Sequence, residues 1–124
     1  MDRRPTKEIR MPYVDGFVIP VHKDKVEAYK ASARKAGDVW KEFGALDFVE
    51  CIGDDVPHGE FTSFPRAVLA RDDEVVVFSW IVYRNKAERD AIVAKVMADE
   101  RLKGDMPFDG TRLIFGGFEM WLKM

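Results

Sequence analysis

Residues Glu74 to Tyr83 read EVVVFSWIVY, apolar at nearly every successive position. Neighbouring side chains of an extended strand point to opposite faces. Val75, Val77 and Ile81 therefore share one face, and Val76, Phe78, Trp80 and Val82 share the other. Such a strand belongs inside a sheet whose two faces are both covered. A last apolar run repeats the pattern, with Leu113, Phe115 and Trp121 alternating against Ile114, Phe118, Met120 and Leu122.

The remaining elements follow from periodicity and punctuation. Tyr13 to Val21 reads as a first strand, with Pro20 near its end where a missing N–H is tolerated. Asp24 with Glu27 three residues on is a capping-box variant that opens a helix. Val26, Tyr29, Ala33, Ala36, Trp40 and Phe43 form its apolar stripe, and Gly44 ends it. Gly37 costs that helix about 1 kcal/mol relative to alanine. Leu46 to Ile52 reads as a second strand. Gly53 to Asp73 is a long irregular segment, within which Ser63 or Phe64 before Pro65 starts a short helix through Leu69. Asn85 with Glu88 repeats the capping signal for a helix to about Leu102, which Gly104 ends. Met106 to Gly110 is a turn-rich link, and Leu113 to Leu122 is the last strand.

The order is β-α-β twice over. With right-handed crossovers this gives an α+β domain: a four-stranded sheet of order 4-1-3-2 with both helices on one face. A chain of 124 residues suits one such domain, expected over residues 13–124 behind a tail of residues 1–12. Two helices cover only one face, and the other is also apolar. The expected cover is a second copy packed sheet to sheet, a homodimer; the alternative is that the segment Gly53–Asp73, or a single further helix, covers that face within one chain.

Composition narrows the partners. A net charge of −2 supplies no concentrated basic surface for nucleic acid. The densest cationic run, Lys23, Lys25, Lys30, Arg34, Lys35 and Lys41, is interleaved with Asp24, Glu27, Asp38 and Glu42, as on a solvated helix face. The lone Cys51 excludes an internal disulfide. No apolar run is long enough for a membrane span, and the first ten residues lack a signal-peptide core. A cytoplasmic location is the expectation.

Polar residues that interrupt the strands are the candidates for chemistry: Asp15, Glu50 or Cys51, Ser79 and Glu119. Buried carboxylates must be paired or carry raised pKa values, and two near one cavity can do acid–base work. Pairing with Arg66, Arg112 or Lys123 is the plain structural alternative. Asp15 and His58 are the catalytic candidates, and Asp15, Trp80, Phe64 and Arg66 the ligand-binding candidates, with Phe61, Phe64 and Arg66 on a lid. The histidines, His22 and His58, lack metal-ligand spacing; Asp54, Asp55 and His58 cluster on one loop but read as a solvated turn. No metal or other cofactor is called for. Cys51 has no neighbouring base and reads as a small hydrophobe. Gly116 and Gly117 allow close approach of a ligand, a helix or a partner subunit.

Five segments carry a resemblance: Tyr13-Val-Asp-Gly-Phe17, Gly53-Asp-Asp-Val-Pro57, Phe64-Pro-Arg-Ala-Val68, Val76-Val-Phe-Ser-Trp80, and Met106-Pro-Phe-Asp-Gly110 with Gly116-Gly-Phe118. Together they resemble the YbaA-like family of uncharacterised bacterial proteins, from Met11 onward. The sequence departs from that pattern at Ile52, where an aromatic is common, and at Ser63, where aspartate is common. The resemblance implies a dimeric α/β barrel of two ferredoxin-like units, but brings no settled activity. Three functions are then open: a small-molecule enzyme or binder with a pocket between sheet and helices, a non-enzymatic interaction homodimer, and an RNA-associated protein, for which a contiguous basic stripe is missing.

Overall fold

A computed structural model describes residues 11–124, so the expected tail lies outside the described residues apart from Met11 and Pro12. The elements are β1 (Tyr13–His22), a 3-10 turn (Lys23–Lys25), α1 (Val26–Phe43), β2 (Asp47–Ile52), α2 (Phe64–Ala67), β3 (Glu74–Tyr83), α3 (Lys86–Ala98), a second 3-10 turn (Glu100–Leu102) and β4 (Ile114–Glu119). The strands form one antiparallel sheet in the order β2-β3-β1-β4. Read from the other edge, this is the expected 4-1-3-2 order.

Local chemistry fixes the ends. Asn85 Oδ1 accepts the Glu88 N–H at 2.8 Å and caps α3 as expected. The start of α1 differs. β1 runs on to His22, and the Lys23 N–H bonds the Asp73 carbonyl at 2.9 Å. The chain therefore turns at His22, whose Nδ1 accepts the Asp24 N–H at 3.0 Å, and Lys25 precedes α1 without a side-chain cap. Gly44 closes α1 at φ +118°, a left-handed cap that favours glycine. Ser63 Oγ accepts the Arg66 N–H at 3.1 Å and caps α2, a role aspartate also fills. β4 is shorter than expected: Tyr13, where β1 begins, faces Glu119, so Trp121 and Leu122 lie beyond the strand, exposed.

Gly37 has its reason here. A Cβ at this position would come within 2.9 Å of the Phe48 ring, so the missing side chain lets α1 lie close against β2. Gly117 likewise makes room for the Tyr13 ring, and the Phe118 ring lies near Gly16 and Gly116. The groups brought near the glycine pair come from this chain's own strands.

Register sorts the two faces. Asp15 faces Ile81, Phe17 faces Ser79 and Ile19 faces Val77 across β1 and β3. These residues look toward α1 and α3, where Val39, Ile81, Tyr83, Ile92 and Val96 form one buried cluster and Ile19, Val21, Tyr29 and Val77 another. The second face is split. At one end Val68, 1% exposed, packs on Val18 and Val76, so the segment after α2 covers that end from within the chain. Phe78, opposite Val18 and met by Phe64, is still 44% exposed, and at the other end Phe118 is 63% exposed. The expectation of a wholly uncovered second face is corrected to that extent.

Arg112 ties the link before β4 to the start of β3. Its guanidinium bonds Glu74 at 2.8 and 2.6 Å, Asp109 Oδ2 at 2.9 Å and the Leu69 carbonyl at 3.0 Å. These charge-assisted bonds hold the Glu74 carboxyl down at about 2, from 4.5. A depressed carboxylate stabilises the fold above its unfolded pKa and loses that contribution as pH falls through the folded one. Stability should therefore fall between pH 4.5 and about 2. Glu74→Gln is expected to cost about 2 kcal/mol at pH 7 and to flatten that acid limb in urea unfolding. An unchanged limb in the variant would contradict the assignment.

Candidate functional site

Between the sheet and helices α1 and α3 lies a cavity of about 380 Å³. Its floor includes Asp15 and Phe17 of β1, Ser79 and Ile81 of β3, and Phe48 and Glu50 of β2. It stays open because α1 presents small side chains there, Ser32, Ala33 and Ala36, opposite the small Ser79. Trp40, Val93 and Phe115 add apolar wall, and Met106 and Phe108 of the link before β4 close one side.

Two polar fixtures interrupt this wall. The first centres on Asp15, only 5% exposed. Arg89 Nη1 of α3 donates to Asp15 Oδ1 at 3.1 Å, and Nη2 donates to the Tyr13 hydroxyl at 3.2 Å. The guanidinium also stands 4.8 Å from the Tyr13 ring centroid, a cation–π contact. The Tyr83 hydroxyl accepts from Trp40 Nε1 at 3.0 Å and stands close enough to Asp15 to interact with its carboxyl. Burial pushes the Asp15 carboxyl above its ordinary value, while the Tyr83 hydroxyl and the Arg89 charge pull it back. Burial, with the Asp15 charge behind it, raises the Tyr83 phenol. Arg89 Nε is shielded and makes no hydrogen bond, although Asp90 Oδ1 lies 3.1 Å away as an ion-pair partner.

The second fixture is Glu50 with Tyr29. The buried Tyr29 hydroxyl donates to Glu50 Oε1 at 2.7 Å. Glu50 is an exposed residue, yet the protein packed around its carboxyl, the Tyr29 side above all, raises its pKa by desolvation, and the Tyr29 bond opposes the rise. Burial first, then the adjacent carboxylate, raises the Tyr29 phenol. Glu50 faces Ser79 in the β2–β3 register. Two strand spacings and a two-residue offset separate Asp15 from Glu50, about 12 Å between α-carbons.

The structure does not bring the sequence candidates together. Asp15 lines the cavity. Trp80 lies on the opposite face of the sheet, its ring tilted against Phe78, which in turn meets Phe64. Arg66 is engaged with its own loop: Nε donates to the His58 carbonyl at 3.0 Å and Nη2 to the Gly59 carbonyl at 2.9 Å. His58 and Phe61 are exposed on that loop. The expected lid is thereby corrected: Gly53–Asp73 runs over the other face, and the link carrying Met106 and Phe108 borders the cavity instead. The choice between Glu50 and Cys51 resolves by parity, Glu50 toward the helices and Cys51 exposed on the second face. Glu119 is exposed and absent from the cavity wall. Among the described residues no group of three or more His, Cys, Asp or Glu could hold a metal ion.

Sequence reasoning passed over Arg89, Tyr83 and the pairing of Tyr29 with Glu50. The signal for Arg89 was present: it precedes Ile92, Val93 and Val96 by three, four and seven positions, which places it on the core stripe of α3.

A family model described as a protein of unknown function (DUF1428) matches residues 12–110. The uncharacterized protein YbaA of Escherichia coli strain K12 is 54% identical over 112 residues, covering 88% of this chain and 96% of that protein; its Shigella flexneri counterpart matches equally. Among solved structures, a dimeric ferredoxin-like protein from an uncultured marine organism superposes with a TM-score of 0.56 at 12% identity, over 91% of this chain and 99% of that one. That likeness establishes the ferredoxin-like fold.

Proposed function

This chain belongs to the DUF1428 family of proteins of unknown function, and we propose that it binds a small, largely apolar molecule between its sheet and its helices. The cavity carries this reading. Its volume of about 380 Å³, apolar wall and few polar groups match the make-up of small-molecule pockets. Asp15 with Arg89 at one end and Glu50 with Tyr29 at the other would orient a substituted ring between them. Titration with indole or 2-naphthol, followed by methyl NMR, tests it. Saturable shifts are expected at Ala33, Ile81 and Val93, with Val18 and Val68 unmoved. Shifts confined to the second face, or none that saturate, set the reading aside.

The second reading concerns assembly. The apolar side chains still exposed on the second face, Phe78, Ile114 and Phe118, support a homodimer joined sheet to sheet. A neighbour of the same fold is described as dimeric, which agrees with this proposal. No helix among the described residues is long and apolar enough to cross a membrane. A cytoplasmic setting completes the proposal; the exposed free thiol of Cys51 accords with a reducing compartment.

A further inference from the structure

We propose that Glu50 is an acid–base residue, exchanging a proton with the small apolar molecule in the cavity, while Tyr29 positions its carboxyl. The inference rests on the binding reading above and adds a chemistry to it.

The two carboxylates of the cavity differ in what holds them. Asp15 is committed to the permanent charge of Arg89 and to the Tyr83 hydroxyl. Glu50 meets a neutral hydroxyl, and among the described residues no ion pair reaches it. On the groove side the charged groups near it are Lys30, Arg34, Asp38 and Lys41 of α1 and Asp47 of its own strand; on the cavity side they are Asp15 and Arg89. Lys30 is engaged with Glu27 at 3.4 Å and Lys41 with the Leu46 carbonyl at 2.6 Å.

Position supplies the second argument. Tyr29, Ala33, Phe48 and Glu50 line both the inner cavity and an outer groove of about 630 Å³ between α1 and β2. The Glu50 carboxyl therefore stands in a shared wall, with an apolar chamber on one side and water on the other. A base in that place meets a bound molecule against an apolar wall and still exchanges its proton with solvent. Its raised pKa makes it a stronger base than a free carboxylate.

The class of reaction is proton transfer. The Glu50 carboxylate takes a proton from an acidic C–H or O–H of the bound molecule, and the C–H or O–H electron pair stays with that molecule as an enolate or its equivalent. The Glu50 carboxylic acid then returns a proton at a second position. The result is a tautomer, with atoms and electrons balanced and no co-reactant. The Ser79 hydroxyl and the Arg89 guanidinium are the donors on the same wall that can meet developing negative charge.

The ring opening of 5-nitrobenzisoxazole is a probe that needs only a base in an apolar pocket. The base removes the ring C–H proton, that electron pair completes a nitrile, and the N–O bond breaks to leave a coloured phenolate. The whole protein should catalyse this with saturation. Glu50→Gln, nearly isosteric, should lose on the order of 100-fold in kcat/KM, while His58→Ala, outside the cavity, should leave it unchanged. Tyr29→Phe removes a bond that favours the charged carboxylate, so the acid limb of the pH–rate profile should move to higher pH; a role in packing alone leaves that limb in place. A rate no better than free acetate, or full activity in the Gln variant, overturns the proposal. Methyl shifts at Ala33, Ile81 and Val93 separate the failures. Binding without turnover removes the base role and leaves the pocket standing; no binding removes both.

Discussion

Replacing Asp15 with alanine should lower the unfolding free energy by about 3 kcal/mol, read as a lower urea midpoint at constant m-value. The carboxylate is 5% exposed and is the group on which Arg89 and Tyr83 converge. Its removal leaves a guanidinium with little access to water and a buried phenol whose hydroxyl loses its carboxylate neighbour. Arg89 keeps its stacking on Tyr13 and the nearby Asp90, which holds the cost at the low end of that for breaking a buried pair. The double variant Asp15→Leu with Arg89→Met should recover most of the loss, since neither charge then remains to be solvated. A single variant within 0.5 kcal/mol of the parent would show that the pair is not structurally coupled.

Phe118→Glu should separate the proposed dimer while leaving each subunit folded. Phe118 is 63% exposed in the single chain, so a charge there costs the subunit little. In a two-fold interface the same side chain is buried twice, and each copy brings a carboxylate into an apolar contact. Association should weaken on the order of 1,000-fold, equivalent to about 4 kcal/mol. Native mass spectrometry at micromolar concentration should give twice the chain mass for the parent and the single mass for the variant. A monomeric parent would remove the sheet-to-sheet reading, and a dimeric variant would move the interface elsewhere.

The fold was legible because its signals are local. Alternation in β1 and β3, capping at Asn85 and the glycine stop at Gly44 each act within a few residues, and right-handed crossovers leave few arrangements for two β-α-β units. The site was legible only in part. Asp15 stood out as a carboxylate in an apolar strand. Its partner Arg89 is 74 residues away in the chain and looks, in sequence, like any helix cation. Tyr29 reads as core in the α1 stripe, and its hydroxyl acquires a role only when Glu50 is set against it. The lid was misplaced for a related reason. The long segment Gly53–Asp73 advertises itself by length, but which face it crosses depends on how Phe64 and Val68 find Phe78 and Val18.

The residues alone determined that this chain makes a two-sided apolar sheet with its two long helices on one face. Side-chain parity in strands and the 3.6-residue period of helices are properties of the backbone, and they need no distant neighbour. Tertiary structure decided where empty space remains and which polar groups border it. A cavity exists where facing side chains are too small to meet, as Ala33 and Ala36 are above Ser79. That sum over two elements distant in sequence is written at no single position.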